Sequence, residues 1–153
     1  MSEPLINADL NDLCIAVTKN MEIRKYKKEK DESKLIEIIE LEGEEWTYTA
    51  PHTIDKYKMA LENSITYVAY KNDELCGFSR SINDNDLYVY VCDLLVTPKF
   101  RGQNIGKQLM ECLYDDFSDA TVFVMSDVDE YYKKIGYRKK GSVLEVSKKI
   151  KNR

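Results

Sequence analysis

The stretch "LLVTPKFRGQNIGKQLMECLYDDF", residues 94–117, changes its period in the middle. It opens as an apolar run of strand type and ends with Ile105, Leu109, Cys112, Leu113 and Phe117 at helical spacing. Between the two lies "RGQNIG", in which Gly102 and Gly106 stand on either side of Asn104. The first turn of a helix carries unpaired N–H groups and a partial positive charge. A turn without side-chain bulk lets an anion reach them, which makes a pyrophosphate site. Arg101 would add a full charge at the rim, and Asn104 suits the turn because asparagine tolerates left-handed backbone. The plainer alternative is an ordinary strand–helix connection that happens to hold two glycines.

The two common phosphate fingerprints do not fit. The triphosphate loop G-x-x-x-x-G-K-[ST] needs four residues between its glycines. Here there are three, and Lys107 is followed by Gln108 with no hydroxyl for magnesium. The dinucleotide fingerprint G-x-G-x-x-G is absent as well. A phosphate-loop nucleotide hydrolase is therefore a poor reading of this turn.

The rest of the chain supplies the frame. "MEIRKYK" alternates like a first edge strand, and a helix follows from Asp31, with Leu35, Ile38, Ile39 and Glu42 marking its faces and Asp31 or Ser33 as cap. "GEEWTYTAPHT" breaks the period and reads as a loop, and "IDKYKMALEN" as a second short helix. "ITYVAYK", "ELCGFSRSI" and "LYVYVCDLLV" are β-rich runs joined by "NDE" and "NDNDL", good turn chemistry for an antiparallel meander. After the glycine turn and its helix come the strand "ATVFVM", a short helix "VDEYYKKI" ended by Gly136, and two closing strands in "YRKKG" and "LEVSKKI". The order is β-α-α-β-β-β-α-β-α-β-β: one α+β domain, a mixed central sheet with helices on both faces. Residues 1–20 read as an N-terminal extension, with Leu10, Leu13, Cys14 and Val17 at the spacing of a short docked helix, and residues 21–153 as the single domain.

Charge and cysteine usage narrow the function classes. A net charge of −4 argues against a nucleic-acid partner held by bulk charge. Four scattered cysteines, no C-x-x-C pair and the single His52 argue against a zinc site, so no metal is expected. Three of the cysteines sit in apolar runs and read as reduced core residues of a cytosolic protein. No apolar run approaches the roughly 20 residues of a membrane span, so no membrane partner is expected, and the location expected is cytoplasmic.

"LLVTPKFRGQNIG" resembles the acetyl-CoA motif of the GNAT superfamily of N-acetyltransferases, L-x-V-x-P-x-x-[QR]-G-x-G-x-[GA]. Leu94, Val96, Pro98, Arg101, Gly102, Ile105 and Gly106 match it, while Asn104 replaces the central glycine. "YYKKIGY", residues 131–137, is similar to the signature F-Y-x-K-x-G-F of the same superfamily. The resemblance covers Met21 to about Ile150 and implies a GNAT fold with acetyl-CoA as co-substrate. It places the backbone of Leu94, Leu95 and Val96 along the pantetheine arm, and Arg101, Gly102, Gln103, Asn104, Ile105 and Gly106 around the pyrophosphate.

Acetyl transfer to an amine needs a neutral nucleophile, a donor to the tetrahedral oxyanion and a proton for the leaving thiolate. The family signature assigns the last role to Tyr132; a half-buried aromatic is the bland reading, and Tyr131 is expected to pack in the core. Asp93 is the lone carboxylate in its strand, and a charge there is costly unless it is paired or used. It reads either as a general base or as hydrogen-bonded support, on the opposite face from Cys92 and Leu94 unless a bulge intervenes. Tyr90 and Cys92 would line the acceptor site from the other face. Glu44, Glu45 and Trp46 would draw a cationic amine, or else form a solvated helix end and loop. The expected acceptor is a primary amine of a small molecule or peptide. A homodimer is allowed by the resemblance. An acyl-CoA-binding sensor without turnover is the rival on the same fold.

Overall fold

The structure is a computed structural model that describes residues 16–18 and 21–146. Six strands form one sheet in the order of the chain: β1 (Ala16–Thr18), β2 (Met21–Lys25), β3 (Ile65–Lys71), β4 (Glu74–Asp84), β5 (Tyr88–Val96) and β6 (Thr121–Val124). Neighbours run antiparallel except β5 and β6, which are parallel because a helix carries the chain back between them. The helices are α1 (Lys28–Glu42), α2 (Ile54–Asn63), α3 (Ile105–Asp116) and α4 (Asp129–Lys134). The β3–β4 connection puts Asn72 and Asp73 at φ +50° and +64°, the left-handed pair that a two-residue hairpin needs, as "ND" anticipates.

The sheet separates two cores. On one face Tyr67, Ala69, Val89 and Val91 pack under Ile105, Leu109, Cys112 and Leu113 of α3. On the other, Val68, Phe78 and Leu95 pack under Leu35 and Ile39 of α1 and Tyr57 and Leu61 of α2. The expected α+β class and the mixed sheet with helices on both faces are what the structure shows. Helix α2 and strand β3 run over the residues that the sequence gives for them.

Four expectations change. Residues 16–18 pair with β2 instead of continuing a helix through Val17, so β1 and not β2 is the edge; the rest of that expected helix lies outside the described residues. Helix α1 begins at Lys28, three residues early, because Asp31 acts from inside the first turn: its carboxylate accepts the Lys27 N–H at 2.7 Å and both guanidinium nitrogens of Arg24 at 2.8 Å. Residues 137–146 carry no strand, and Val143, Leu144 and Val146 stand exposed there; a strand needs cross-strand partners, and these have none among the described residues, while the rest of the expected last strand lies outside them. Cys76 and Cys92 are free thiols, as expected, whereas Cys112 is disulfide-bonded.

Candidate active site

The turn ahead of α3 has the backbone that its glycines and asparagine suggest. Gly102 sits at φ +77° and Asn104 at φ +61°, both left-handed, and α3 starts at the next residue. No side chain caps the helix, and the first N–H to close back is that of Gln108, on Asn104 O at 3.0 Å. The N–H groups ahead of it therefore have no helical partner and face the mouth of the turn. Arg101 does not stand free at the rim. Its guanidinium grips Glu42, at the end of α1, through both carboxylate oxygens at 2.8 and 2.9 Å, and donates to Val96 O at 2.9 Å. It braces the turn against β5 and α1. Lys71, which the sequence reading passed over, reaches the turn from the β3–β4 hairpin by donating to Gln103 Oε1 at 2.6 Å.

Strand β5 changes partners beside this turn. Its parallel pairing with β6 ends at Val91 and Val124, where Met125 N–H bonds Val91 O at 3.0 Å. Beyond that point residues 93–96 pair with β4 alone among the described residues, so Leu94, Leu95 and Val96 have an outer edge without a strand partner next to the turn, on which Val96 O already accepts from Arg101. An extended arm can add to such an edge as a strand does. Small backbone at 102 and 106, free N–H groups and a free strand edge together fit a coenzyme made of a pyrophosphate and an amide-bearing arm.

Register shifts on β4 between Arg80 and Ser81, leaving Cys92 as the extra residue of a β-bulge on β5. The bulge decides where Asp93 points. Val91 faces the α3 core, yet Asp93 emerges with Leu95 on the side of α1 and α2, directly opposite Arg80. Its carboxylate is fully engaged: Tyr48 donates to Oδ1 at 3.1 Å, and Tyr57 and Arg80 Nε donate to Oδ2 at 3.0 and 2.5 Å. Tyr48 and Tyr57 stack face to face with centroids 4.3 Å apart, and the Arg80 guanidinium lies 5.5 Å from the Tyr57 ring centre. Burial would lower the Arg80 pKa, but the Asp93 carboxylate outweighs it and holds it above its ordinary value. Burial and then the Asp93 charge push Tyr48 and Tyr57 upward, so both keep their protons as donors. A signal for this cluster was present in the sequence. Arg80 is the lone charge in "GFSRSI", Asp93 the lone carboxylate in its strand, and buried charges pair.

Of the other predicted residues, Cys92 and Trp46 adjoin this cluster. Cys92 lies half-buried on the bulge; burial pushes its thiol up, Arg80 pulls it down and Asp93 raises it again. Tyr90 packs beside Tyr88 and Phe123, with centroids 6.1 and 5.7 Å away. Trp46 packs edge-on against Tyr48 and Phe78, so it anchors its loop, while Glu44, Glu45 and His52 are exposed. Tyr132 is buried on α4, edge-on to Tyr131 and stacked on Tyr137, and burial pushes its pKa up to about 12. Tyr131 departs from expectation. It is 39% exposed, and its hydroxyl lies over Gly106.

Comparison with known proteins agrees with this geometry. A family model described as "Acetyltransferase (GNAT) domain" matches residues 62–139. A protein of Pyropia yezoensis named uncharacterized N-acetyltransferase ycf52 is 35% identical over 96 residues, which is 56% of this chain and 55% of that protein. Its namesake in Gracilaria tenuistipitata var. liui is 31% identical over 94 residues, 55% of this chain and 52% of that one. The matched stretch thus spans about half the length of these relatives. Among solved structures, the GNAT family acetyltransferase SP0256 from Streptococcus pneumoniae TIGR4 superposes with a TM-score of 0.64 at 23% identity, covering 84% of this chain and 99% of that one. The family match spans half of the chain, and on it the chain belongs to the GNAT acetyltransferases.

Proposed function

We propose that the chain is an acetyl-CoA-dependent N-acetyltransferase that moves an acetyl group directly from the thioester to a primary amine of a small molecule or peptide. The observation that carries this reading is the left-handed turn at 102–104, with its free N–H groups set beside the unpaired edge at 94–96. The turn would hold the pyrophosphate, and the edge would pair with the amide-bearing arm. When bound, the coenzyme supplies an activated acyl carbon and a thiolate leaving group.

The chain's own residues would do the rest. The amine nitrogen forms the new C–N bond, the C–S bond breaks, and the thiolate takes a proton. Tyr132 is the proposed donor: with its pKa pushed up to about 12 it carries its proton throughout the physiological range. Asp93 serves as support rather than as base, since its oxygens already accept from Tyr48, Tyr57 and Arg80. It ties the acceptor-side loop, through Tyr48, to the β5 bulge. The proton released by the amine would leave through water, and the acceptor would lie along Tyr90, Cys92 and the loop that carries Glu45 and Trp46. A cytoplasmic location belongs to the same proposal.

One observation favours a second reading. With Asp93 locked, the cluster offers no free carboxylate base, which suits an acyl-CoA sensor that binds without turnover. A calorimetric titration with acetyl-CoA, for the wild type and for Gly106→Glu, tests the shared part. Micromolar binding lost in the variant supports the coenzyme site, and no binding in the wild type overturns it. Release of free thiol in a screen of amines then separates the enzyme from the sensor.

A further inference from the structure

The signature F-Y-x-K-x-G-F has phenylalanine where this chain has Tyr131, so the chain adds one hydroxyl at that point. The hydroxyl lies at the junction of the two coenzyme elements. A Cβ built on Gly106 would come within 2.7 Å of Tyr131 Oη and 3.7 Å of Leu94 Cδ2. Gly106 belongs to the head of α3 and Leu94 to the outer edge of β5. The Tyr131 ring packs edge-on to Tyr132, yet its Oη makes no hydrogen bond to any of the described residues. Burial pushes its pKa up, so it keeps its proton. A retained donor with no acceptor among the described residues therefore sits beside N–H groups that have no helical partner.

We propose that Tyr131 is a coenzyme-binding residue whose hydroxyl donates a hydrogen bond to a phosphate oxygen held at the head of α3. This rests on the coenzyme site proposed above and adds a contact from α4 to it. Because Tyr131 and Tyr132 are neighbours on one short helix, the bond also registers α4: the phosphate that holds Tyr131 fixes where the proposed acid stands. Tyr131 is then a positioning residue for Tyr132 as well as a ligand. The competing account is steric, with the ring filling the empty slot and swinging aside when ligand enters.

The test is calorimetry of the full chain with CoA itself, which carries the phosphates and cannot turn over. Wild type, Tyr131→Phe and, as a control, the exposed Tyr114→Phe are compared, with thermal unfolding of each in the absence of ligand. Tyr131→Phe removes a hydroxyl that bonds none of the described residues, so its unliganded melting should match the wild type. Its affinity should fall about tenfold or more, the worth of one hydrogen bond to a charged group, while Tyr114→Phe binds as the wild type does. Equal or tighter binding by Tyr131→Phe overturns the proposal in favour of the steric account. A lowered melting point without ligand also overturns it, since the hydroxyl would then serve the fold. Failure of the wild type to bind CoA removes the coenzyme site and this contact together, and so is told apart from failure of the contact alone.

Discussion

Arg80 and Asp93 stand opposite each other across β4 and β5, with Nε donating to Oδ2 at 2.5 Å and side chains only 13% and 3% exposed. The pair exists because the bulge at Cys92 turns Asp93 toward the α1–α2 face. Two charges so placed are stable together and costly apart. Asp93→Ala leaves the guanidinium buried without its anion and strips Tyr48 and Tyr57 of their acceptor. It should cost about 3–5 kcal/mol in urea unfolding. The double variant Arg80→Met with Asp93→Leu should cost clearly less than the two single variants added together. Additive losses would mean that the two charges do not act as a pair.

A second buried carboxylate gives the fold a pH dependence of definite sign. Burial alone would raise the Asp31 pKa, but the bidentate bond from Arg24, the Lys27 N–H and the Tyr70 hydroxyl hold it below its ordinary value. A carboxylate depressed in the folded state contributes stability that is full above its unfolded pKa, about 3.9. That contribution is lost as pH falls through the lower folded value. Urea midpoints of the wild type should thus be flat in this respect above about pH 5 and decline below pH 4. Asp31→Asn should lower the midpoint at pH 7 and flatten the acid decline. A variant with the wild-type acid profile would place the decline on other carboxylates.

How much of this could be read from the chain depends on the range of the forces involved. The glycine turn, both helix stripes and the hairpins are local: "NIG" at the head of α3 and "ND" between β3 and β4 name their own backbone geometry. The bulge at Cys92 is not local. It follows from how β4 and β5 settle their register, and no residue of "YVCDLL" announces it, so strict alternation misleads about which partners Asp93 shares. Arg101 shows the same limit. Its place in the motif reads as a cation for the ligand, but Glu42, fifty-nine positions away in sequence, takes up its charge. "LEVSKKI" opens with a strand period, Leu144 and Val146 about Glu145, yet residues 144–146 carry no strand, because a period forms one only where an edge accepts it.

The left-handed residue at the turn can be tested by what replaces it. Asn104 at φ +61° occupies backbone that glycine adopts freely and β-branched residues resist. Asn104→Gly should keep both stability and CoA binding. Asn104→Val should cost about 1–2 kcal/mol and weaken CoA binding, because the turn can then relax only by moving its N–H groups. Equal CoA affinity in the two variants, by calorimetry, would separate the turn from the ligand.

Gly77 lies opposite Val96, where the β5 backbone leaves no room for a side chain on β4. A Cβ there would clash with Leu95 O and lie 3.2 Å from Val96 Cα, both backbone atoms with no freedom to swing aside. Gly77→Ala must therefore push β5 away just where its outer edge is proposed to take the coenzyme arm. We expect a loss of at least the 1–3 kcal/mol usual for overpacking, read as a lowered thermal midpoint, together with weaker CoA binding. Gly102→Ala is the contrast. Nothing lies within 4 Å of its added methyl, so any cost there comes from φ +77° alone.

Tyr132 carries the chemical part of the proposal, and its raised pKa makes the prediction specific. A hydroxyl with a pKa of about 12 is protonated at every pH from 6 to 9, so its own titration cannot shape the rate in that range. With an active amine in hand, kcat/KM should rise with pH as more of the amine becomes neutral, and should show no falling limb below about pH 9 from Tyr132. Tyr132→Phe keeps the ring between Tyr131 and Tyr137 and removes only the proton donor. Acetyl-CoA affinity should hold, while kcat falls by about 10²–10⁴-fold, the usual contribution of a positioned acid. The rising limb should survive in the variant, because it belongs to the amine. Unchanged turnover would transfer the proton to solvent or to another donor, and a drop in affinity equal to the drop in rate would make Tyr132 a binding residue.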